Sequence, residues 1–192
     1  RLQEISELER LRLAQFIVTR CFLVVVSTPD FDSAYRIFSV LNDRGLNLSH
    51  TDILKAEIIG QIPNQQQDKY SVKWEYIEEK LGREMFQDLF THIRMIYRKA
   101  KPRESVLKEF RQYVRPTDHP QKFIDETLRP LADALFDIKK TTYQSVKGTD
   151  EVNRIFRWLN SIDNFDWVPP AILYLSQNHN NYENLLRFFY DL

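Results

Sequence analysis

The sequence predicts a mainly α-helical protein, a multi-helix bundle with one short β-strand segment near the amino terminus. Only four glycines occur in 192 residues, whereas the turns of all-β domains usually need more. Apolar residues recur at helical spacing over most of the chain, as in Phe86, Leu89, Phe90, Ile93 and Ile96. We therefore expect amphipathic helices that bury their apolar faces in a common core.

The sequence pattern of the amino-terminal part predicts a helix, a strand and two further helices. The first helix is expected over residues 5–20, and the β-branched run at 22–27 predicts the strand. A single strand is not stable alone, so either its partners lie outside this sequence or the segment is a buried extended connector. Asp30 can cap the second helix. Ser49 and Asp52 have the spacing of a capping box and predict the start of the third.

Residues 60–67 interrupt the helical pattern with Gly60, Pro63 and three glutamines. Further helices are expected at about 68–80, 83–100, 104–114 and 120–140. Pro130 predicts a kink or a helix start within the last of these. The break predicts two domains, residues 1–62 and 68–192.

The carboxy-terminal part continues the helical pattern after a polar loop at residues 141–148. Thr149 is expected to cap the next helix, and Pro169 and Pro170 to open a short one. Asn180 and Glu183 have capping-box spacing before the last helix.

Bulk properties exclude several classes of protein. Basic and acidic residues number 27 each, which argues against a broad nucleic-acid footprint but not against a local basic patch. The lone cysteine, Cys21, fits a reducing, cytoplasmic setting, and its position before an apolar run predicts a packed thiol. No apolar run is long enough to span a bilayer, so no membrane partner is expected.

The chain begins at Arg1 inside a helical pattern and ends at Leu192 without a helix stop signal. We therefore expect a fragment of a larger protein.

The loop that joins the second and third predicted helices is the most constrained polar segment. Asn42 and Gly45 tolerate the left-handed backbone that ends a helix. One interpretation is a helix–turn–helix connection in which Arg44 caps carbonyls or pairs with Asp43. The other places Arg44 and the free amides of the next helix beside a phosphate or nucleotide. Lys55 lies further along that helix and is a weaker candidate.

This segment resembles the second signature of the GmrSD-type N-terminal domain family, the ParB-like domains of type IV, modification-dependent restriction systems and related phage-defence proteins. The resemblance covers about residues 22–60. The matching residues are Phe38, Leu41, Asn42, Asp43, Arg44, Gly45, Leu46, Leu48, Ser49, Asp52, Ile53, Leu54 and Lys55.

The resemblance implies a role in nucleotide or DNA sensing and in interdomain coupling, with Asn42, Asp43, Arg44 and Lys55 at the site. The family's Asp-Gly-Gln-Gln-Arg loop and its frequent His-Asn-His nuclease partner are absent from this sequence. We therefore expect no catalytic residue, metal site or cofactor in this chain. The longer protein is expected to be an NTP-dependent DNA endonuclease that uses a nucleotide and a divalent metal.

The expected partners follow from the same resemblance. They are DNA and a nucleotide, a missing amino-terminal segment, a nuclease domain and a second copy of the chain.

A second candidate site is a basic stretch with no acidic residue in it, formed by Arg94, Arg98, Lys99, Lys101 and Arg103. It predicts a patch that contacts phosphates, with Tyr97 able to stack on a base. The alternative is a solvated helix end whose cations complement the helix dipole.

Two remaining features favour structural interpretations. The acidic pairs Glu78–Glu79 and Asp163–Asp166 lack the spacing that metal or acid–base chemistry requires, and Asp118 beside His119 is expected to cap a helix. The aromatic end of the chain forms either core or an exposed face for a partner. Its members are Trp158, Phe165, Trp167, Tyr174, Tyr182, Phe188, Phe189 and Tyr190. The alternative function is therefore a non-catalytic helical protein-interaction module.

Overall fold

The computed structural model describes residues 6–22 and 49–192. The chain divides into two compact units, Arg1–Leu48 and Ser49–Leu192. Asn42, Asp43 and Arg44 lie outside the described residues, as does the predicted strand except for Phe22.

The described part of the first unit is one helix, α1 (Glu7–Arg20). Its amino terminus is a capping box in which Glu9 accepts from the backbone N–H of Ser6 at 2.9 Å. This agrees with the helix expected over 5–20. No residue of α1 is buried, and Cys21 is exposed. The predicted packing of its thiol is therefore wrong for the described residues.

The second unit is helical, which confirms the predicted fold class for the described chain. Its α-helices are α2 (His50–Gly60), α3 (Asn64–Leu81), α4 (Arg83–Arg98), α5 (Val106–Glu109), α6 (Pro120–Lys122), α7 (Arg129–Lys140), α8 (Thr149–Asn160), α9 (Val168–Asn178) and α10 (Tyr182–Tyr190). Two π-helical segments continue α5 and α6, at Phe110–Val114 and Phe123–Leu128.

Helix α2 begins with the predicted capping box, in which Asp52 accepts from the Ser49 N–H at 2.8 Å. Helix α3 starts at Asn64, about four residues earlier than expected, because Pro63 directly precedes it and glutamine favours helices. Only residues 61–63 lie between α2 and α3. Helix α2 packs on α3 and α4, and the compact units divide after Leu48.

One part of the core of the second unit is an aromatic cluster between α3, α4 and the first π-helical segment. Trp74 lies 5.6 Å from both Phe86 and Phe90, measured between ring centroids, and Phe90 lies 5.1 Å from Phe110. All four side chains are fully buried. Two of them, Phe86 and Phe90, belong to the stripe predicted from sequence.

Helix α3 runs parallel to the continuous helical stretch formed by α6, the second π-helical segment and α7. Lys73 pairs with Asp125, and seven residues later Lys80 pairs with Asp133 at 2.6 Å. The two aspartates are eight residues apart, and the π-helical segment contains Asp125. Pro130 lies in the first turn of α7, where the N–H that proline lacks would have no partner within an ordinary α-helix.

The helix starts after residue 118 differ from three sequence predictions. Asp118 pairs with Arg115 at 2.8 Å and does not cap α6. The residue before α8 is Gly148, while the Thr149 hydroxyl bonds with the backbone of Ser145. The last helix is capped by Asn181, not Asn180, because the Asn181 side chain accepts from the N–H of Asn184.

The loop between α7 and α8 is held by a buried amide. The side chain of Asn153 accepts from the Tyr143 N–H at 3.1 Å and donates to the Tyr143 carbonyl at 2.9 Å. The Tyr143 hydroxyl donates to the His179 carbonyl at 2.7 Å. One asparagine therefore ties this loop to the helices around it.

The aromatic end divides between core and surface. Trp167 and Phe189 are buried, and Tyr174 stacks on Phe188 at 3.9 Å. Trp158, Phe165 and Tyr190 are more than half exposed. Over residues 6–22 and 49–192, no helix is both long and apolar enough to cross a bilayer.

Candidate nucleic-acid interface

The basic stretch predicted from sequence spans the end of α4 and the loop that follows it. Lys99 ends the helix with a left-handed backbone, φ 51°, and its N–H donates to the Met95 carbonyl at 2.8 Å. The chain then passes through residues 100–104 to Ser105, which caps α5. We call residues 99–103 the basic loop.

A buried ion pair lies beneath the basic loop. Nη1 of Arg94 donates to Oε2 of Glu109 at 2.8 Å and to the Ala100 carbonyl at 3.0 Å. The other carboxylate oxygen of Glu109 accepts from the N–H groups of Arg103 and Glu104, at 2.8 and 3.2 Å. The pair therefore fixes the loop backbone at both ends.

The same contacts set the charge state of the carboxylate. The Arg103 N–H and the Arg94 guanidinium hold the pKa of Glu109 below its usual range, against the opposing effect of burial. Glu109 therefore stays charged and keeps accepting from the loop.

Arg94 does not belong to the surface patch that the sequence predicted. Its side chain is 2% exposed and forms an ion pair with Glu109, so it cannot reach a phosphate. Lys99, Lys101 and Arg103 are exposed. None of these three makes an ion pair within the described chain. The exposed cations of the loop are therefore Lys99, Lys101 and Arg103, and the buried Arg94 helps to hold the loop backbone.

Arg98 lies at the edge of the patch and is neither fully buried like Arg94 nor exposed like the loop cations. Its guanidinium carbon lies 4.4 Å from the centroid of the Tyr113 ring, which is a cation–π contact. Its Nε is buried without a hydrogen-bond partner in the described structure. Arg98 is therefore partly used in packing and is a weaker phosphate ligand than the three loop residues.

A cleft of about 570 Å³ opens beside the basic loop. Lys99 lines it together with Tyr97 of α4, Glu126 and Thr127 of the second π-helical segment, and Gln177 of α9. Pro130 and Leu173 supply apolar surface. One cation of the loop thus faces a concave surface of mixed polarity.

Lys55 lies elsewhere in the second unit. Its ammonium pairs with Glu75 of α3 at 2.9 Å, and it is partly exposed. This contact links α2 to α3 and leaves Lys55 apart from the basic loop.

The remaining titratable candidates show no convergent arrangement. Burial raises the pKa of Glu78 and lowers that of His50. Burial, helped by the charge of Lys139, lowers the pKa of His92 to about 4. Within residues 6–22 and 49–192, no three His, Cys, Asp or Glu side chains are grouped to hold a metal ion.

The sequence analysis did not predict the role of Glu109, and it placed Arg94 on the surface, whereas its side chain is buried. A signal for Arg94 was present, because it follows Ile93 directly and lies four residues after Phe90, both on the buried stripe of α4. No sequence pattern indicates that Glu109 is buried and paired. Besides Arg94, its partners are backbone N–H groups of a loop whose course the sequence does not reveal.

Comparisons with known proteins do not assign the chain to a family. No family model matches it, and neither the curated proteins nor the solved structures contain a significant match.

Proposed function

We propose that the helical part of this chain contacts the phosphate backbone of DNA through Lys99, Lys101 and Arg103, as a segment of a modification-dependent restriction or phage-defence protein of the GmrSD type. The observation that carries the proposal is the basic loop itself. Three exposed cations occur within five residues on a backbone that a buried ion pair holds.

The rigidity of the loop supports phosphate binding over a merely solvated helix end. A flexible cluster of lysines loses conformational entropy when it binds, whereas a backbone that is already fixed loses less. Phosphate contacts of this kind carry affinity without sequence information and are strongly salt-dependent. The loop would therefore position DNA without selecting its sequence.

The resemblance supplies the wider context of the proposal. Asn42, Asp43 and Arg44 would line or support a nucleotide or DNA site, with Lys55 as a weaker participant. Hydrolysis of a nucleotide triphosphate and metal-dependent cleavage of DNA would be carried out by other segments of the longer protein. This chain would contribute sensing and interdomain coupling.

The test compares the DNA affinities of two triple variants, measured by fluorescence anisotropy. The first carries Lys99→Ala, Lys101→Ala and Arg103→Ala. The matched control carries Lys140→Ala, Lys147→Ala and Arg157→Ala, three exposed cations elsewhere in the second unit. Both variants change the net charge equally.

The basic-loop variant should bind a labelled duplex about tenfold or more weakly than the wild type, because it lacks three phosphate contacts. The affinity of the control variant should change far less. The dependence of log K on log salt should become shallower by about one for each phosphate that the variant no longer neutralises. Equal effects of the two variants would mean that only total charge matters, and the proposal would fail.

A second experiment tests the site predicted outside the described residues. Arg44→Ala in the full-length protein should lower nucleotide hydrolysis or DNA cleavage while circular dichroism shows an unchanged helix content. Unchanged activity, or activity lost only together with the fold, would indicate that the loop at 42–45 is a structural connection.

A helical interaction module is the second candidate function, and the exposed aromatic residues favour it. Trp158 is 55% exposed and Phe165 64% exposed, and aromatic surface of this kind can bind a partner. Self-association through Trp158 predicts that Trp158→Ser lowers the molar mass measured by light scattering. Val146→Ser, at a fully exposed position elsewhere, serves as the control.

A further inference from the structure

The cleft beside the basic loop has one aromatic wall. The Tyr97 ring lines the cleft and is 47% exposed, and its hydroxyl lies 3.5 Å from the Thr127 hydroxyl. Pro130 and Leu173 offer apolar surface in the same cleft. A half-exposed ring beside apolar surface is a platform on which a flat, unpaired base can stack.

The cleft contains charged groups of both signs. Lys99 contributes an ammonium, and Gln177 contributes an amide. Glu126 contributes a carboxylate, which also lies 3.7 Å from the exposed ammonium of Lys122. A carboxylate repels phosphate but accepts hydrogen bonds from the amino groups of bases. Lys99 therefore suits a phosphate, and Glu126 and Gln177 suit the edge of a base.

The size of the cleft is consistent with such a ligand. Its volume of about 570 Å³ falls within the range of about 300–1,000 Å³ that is typical of small-molecule sites. A duplex base pair is stacked on both faces and cannot enter, so the ligand must be unpaired.

We infer that this cleft binds an unpaired nucleobase, stacked on Tyr97, from a single strand whose phosphates lie on Lys99, Lys101 and Arg103. The inference rests on the proposed function and extends it from phosphate contact to single-stranded nucleic acid. Tyr97 and Lys99 are two residues apart at the end of α4, so one nucleotide can place its base and its phosphate on them together.

The test measures binding of two labelled strands to the 192-residue chain. One is a short oligodeoxycytidine, and the other is an abasic strand with the same number of phosphates. The wild type, Tyr97→Ala, Tyr97→Phe and the triple variant of the basic loop are compared. Tyr76→Ala is the matched control, because Tyr76 is an exposed tyrosine on α3 outside the cleft.

The wild-type chain should bind the oligodeoxycytidine on the order of tenfold more tightly than the abasic strand, as expected for one stacked base. Tyr97→Ala should abolish this difference, whereas Tyr97→Phe and Tyr76→Ala should retain it. Equal binding of the two strands by the wild type would overturn the inference. So would a preference that survives in Tyr97→Ala.

The same measurements separate this inference from the proposed function. The triple variant should weaken binding of both strands by the same factor, because it removes phosphate contacts alone. If it does so while the wild type shows no preference for bases, phosphate contact stands and base stacking falls. If it leaves abasic binding unchanged, the proposed function itself fails.

Discussion

Nη1 of Arg94 lies 2.8 Å from Oε2 of Glu109, and neither side chain is more than 3% exposed. Burying two charges is costly, and a pair of this kind need not add net stability. Here the carboxylate also accepts from two backbone N–H groups, and the guanidinium donates to a backbone carbonyl. The pair is therefore best understood as the support of the basic loop.

Arg94→Met should destabilise the protein by about 3–5 kcal/mol, because it leaves a buried carboxylate without its cation. Urea unfolding followed by circular dichroism measures the change. Arg115→Met is the control, since it breaks the exposed pair with Asp118 and should cost less than about 1 kcal/mol. Similar losses for the two variants would show that the Glu109 carboxylate does not depend on Arg94.

Two glycines give opposite predictions for the same substitution. Gly148 has φ 73°, and an added Cβ would overlap Cδ2 of the Tyr182 ring. Gly148→Ala should therefore destabilise the protein by at least about 1–2 kcal/mol. Gly60 ends α2 with no atom near the added Cβ, so Gly60→Ala should stabilise it by about 0.5–1 kcal/mol.

Thermal unfolding of both alanine variants against the wild type checks this pair. Melting temperatures that shift in opposite directions support the conclusion that the left-handed backbone and the neighbouring Tyr182 require glycine at position 148. A Gly148→Ala protein as stable as the wild type would mean that Tyr182 moves aside and that the strain is small.

Thr141 is a β-branched residue with φ 54°, at the end of α7. The N–H of Thr142 donates to the Asp137 carbonyl at 3.0 Å, which is the bond of a Schellman motif that normally has glycine at this position. Thr141→Gly should therefore raise stability by about 1 kcal/mol. Lys140→Gly, one residue earlier inside the helix, should lower it by a similar amount, and both are measured by urea unfolding.

Periodicity predicted the helices well because their apolar faces are continuous. The stripe from Phe86 to Ile93 is fully buried on α4, and the capping box of Ser49 and Asp52 is formed. Local signals were weaker at helix starts after residue 118. Neighbouring residues such as Asn180 and Asn181, or Gly148 and Thr149, can each serve as a cap, and only tertiary packing selects one.

The candidate site was predictable in its charge but not in its geometry. The cations of the basic loop are visible as a run without acids, and the place of Arg94 on the buried stripe of α4 indicates its burial. The sequence does not reveal that Glu109 is its partner. The π-helical segment that contains Asp125 was likewise not predicted. A π-helical turn has no sequence pattern of its own, and here it is evident from the backbone of Phe123–Leu128.

His92 predicts a pH dependence of stability. Burial, together with the charge of Lys139, lowers its pKa to about 4 in the folded protein, whereas an unfolded histidine has a pKa of about 6.5. Above pH 6.5 the side chain is neutral in both states. As the pH falls from 6.5 to 4, only the unfolded state takes up the proton. The free energy of unfolding should therefore fall by at most about 3 kcal/mol through this group.

Urea unfolding over that pH range isolates the contribution when the wild type is compared with His92→Gln. The variant lacks the titrating group and should lose less stability on acidification, while carboxylates affect both proteins alike. His119→Gln removes an exposed histidine and should follow the wild type at every pH. If the His92→Gln and wild-type curves stay parallel from pH 6.5 to 4, His92 accepts a proton in the folded state as readily as in the unfolded chain, and burial of its side chain does not oppose protonation.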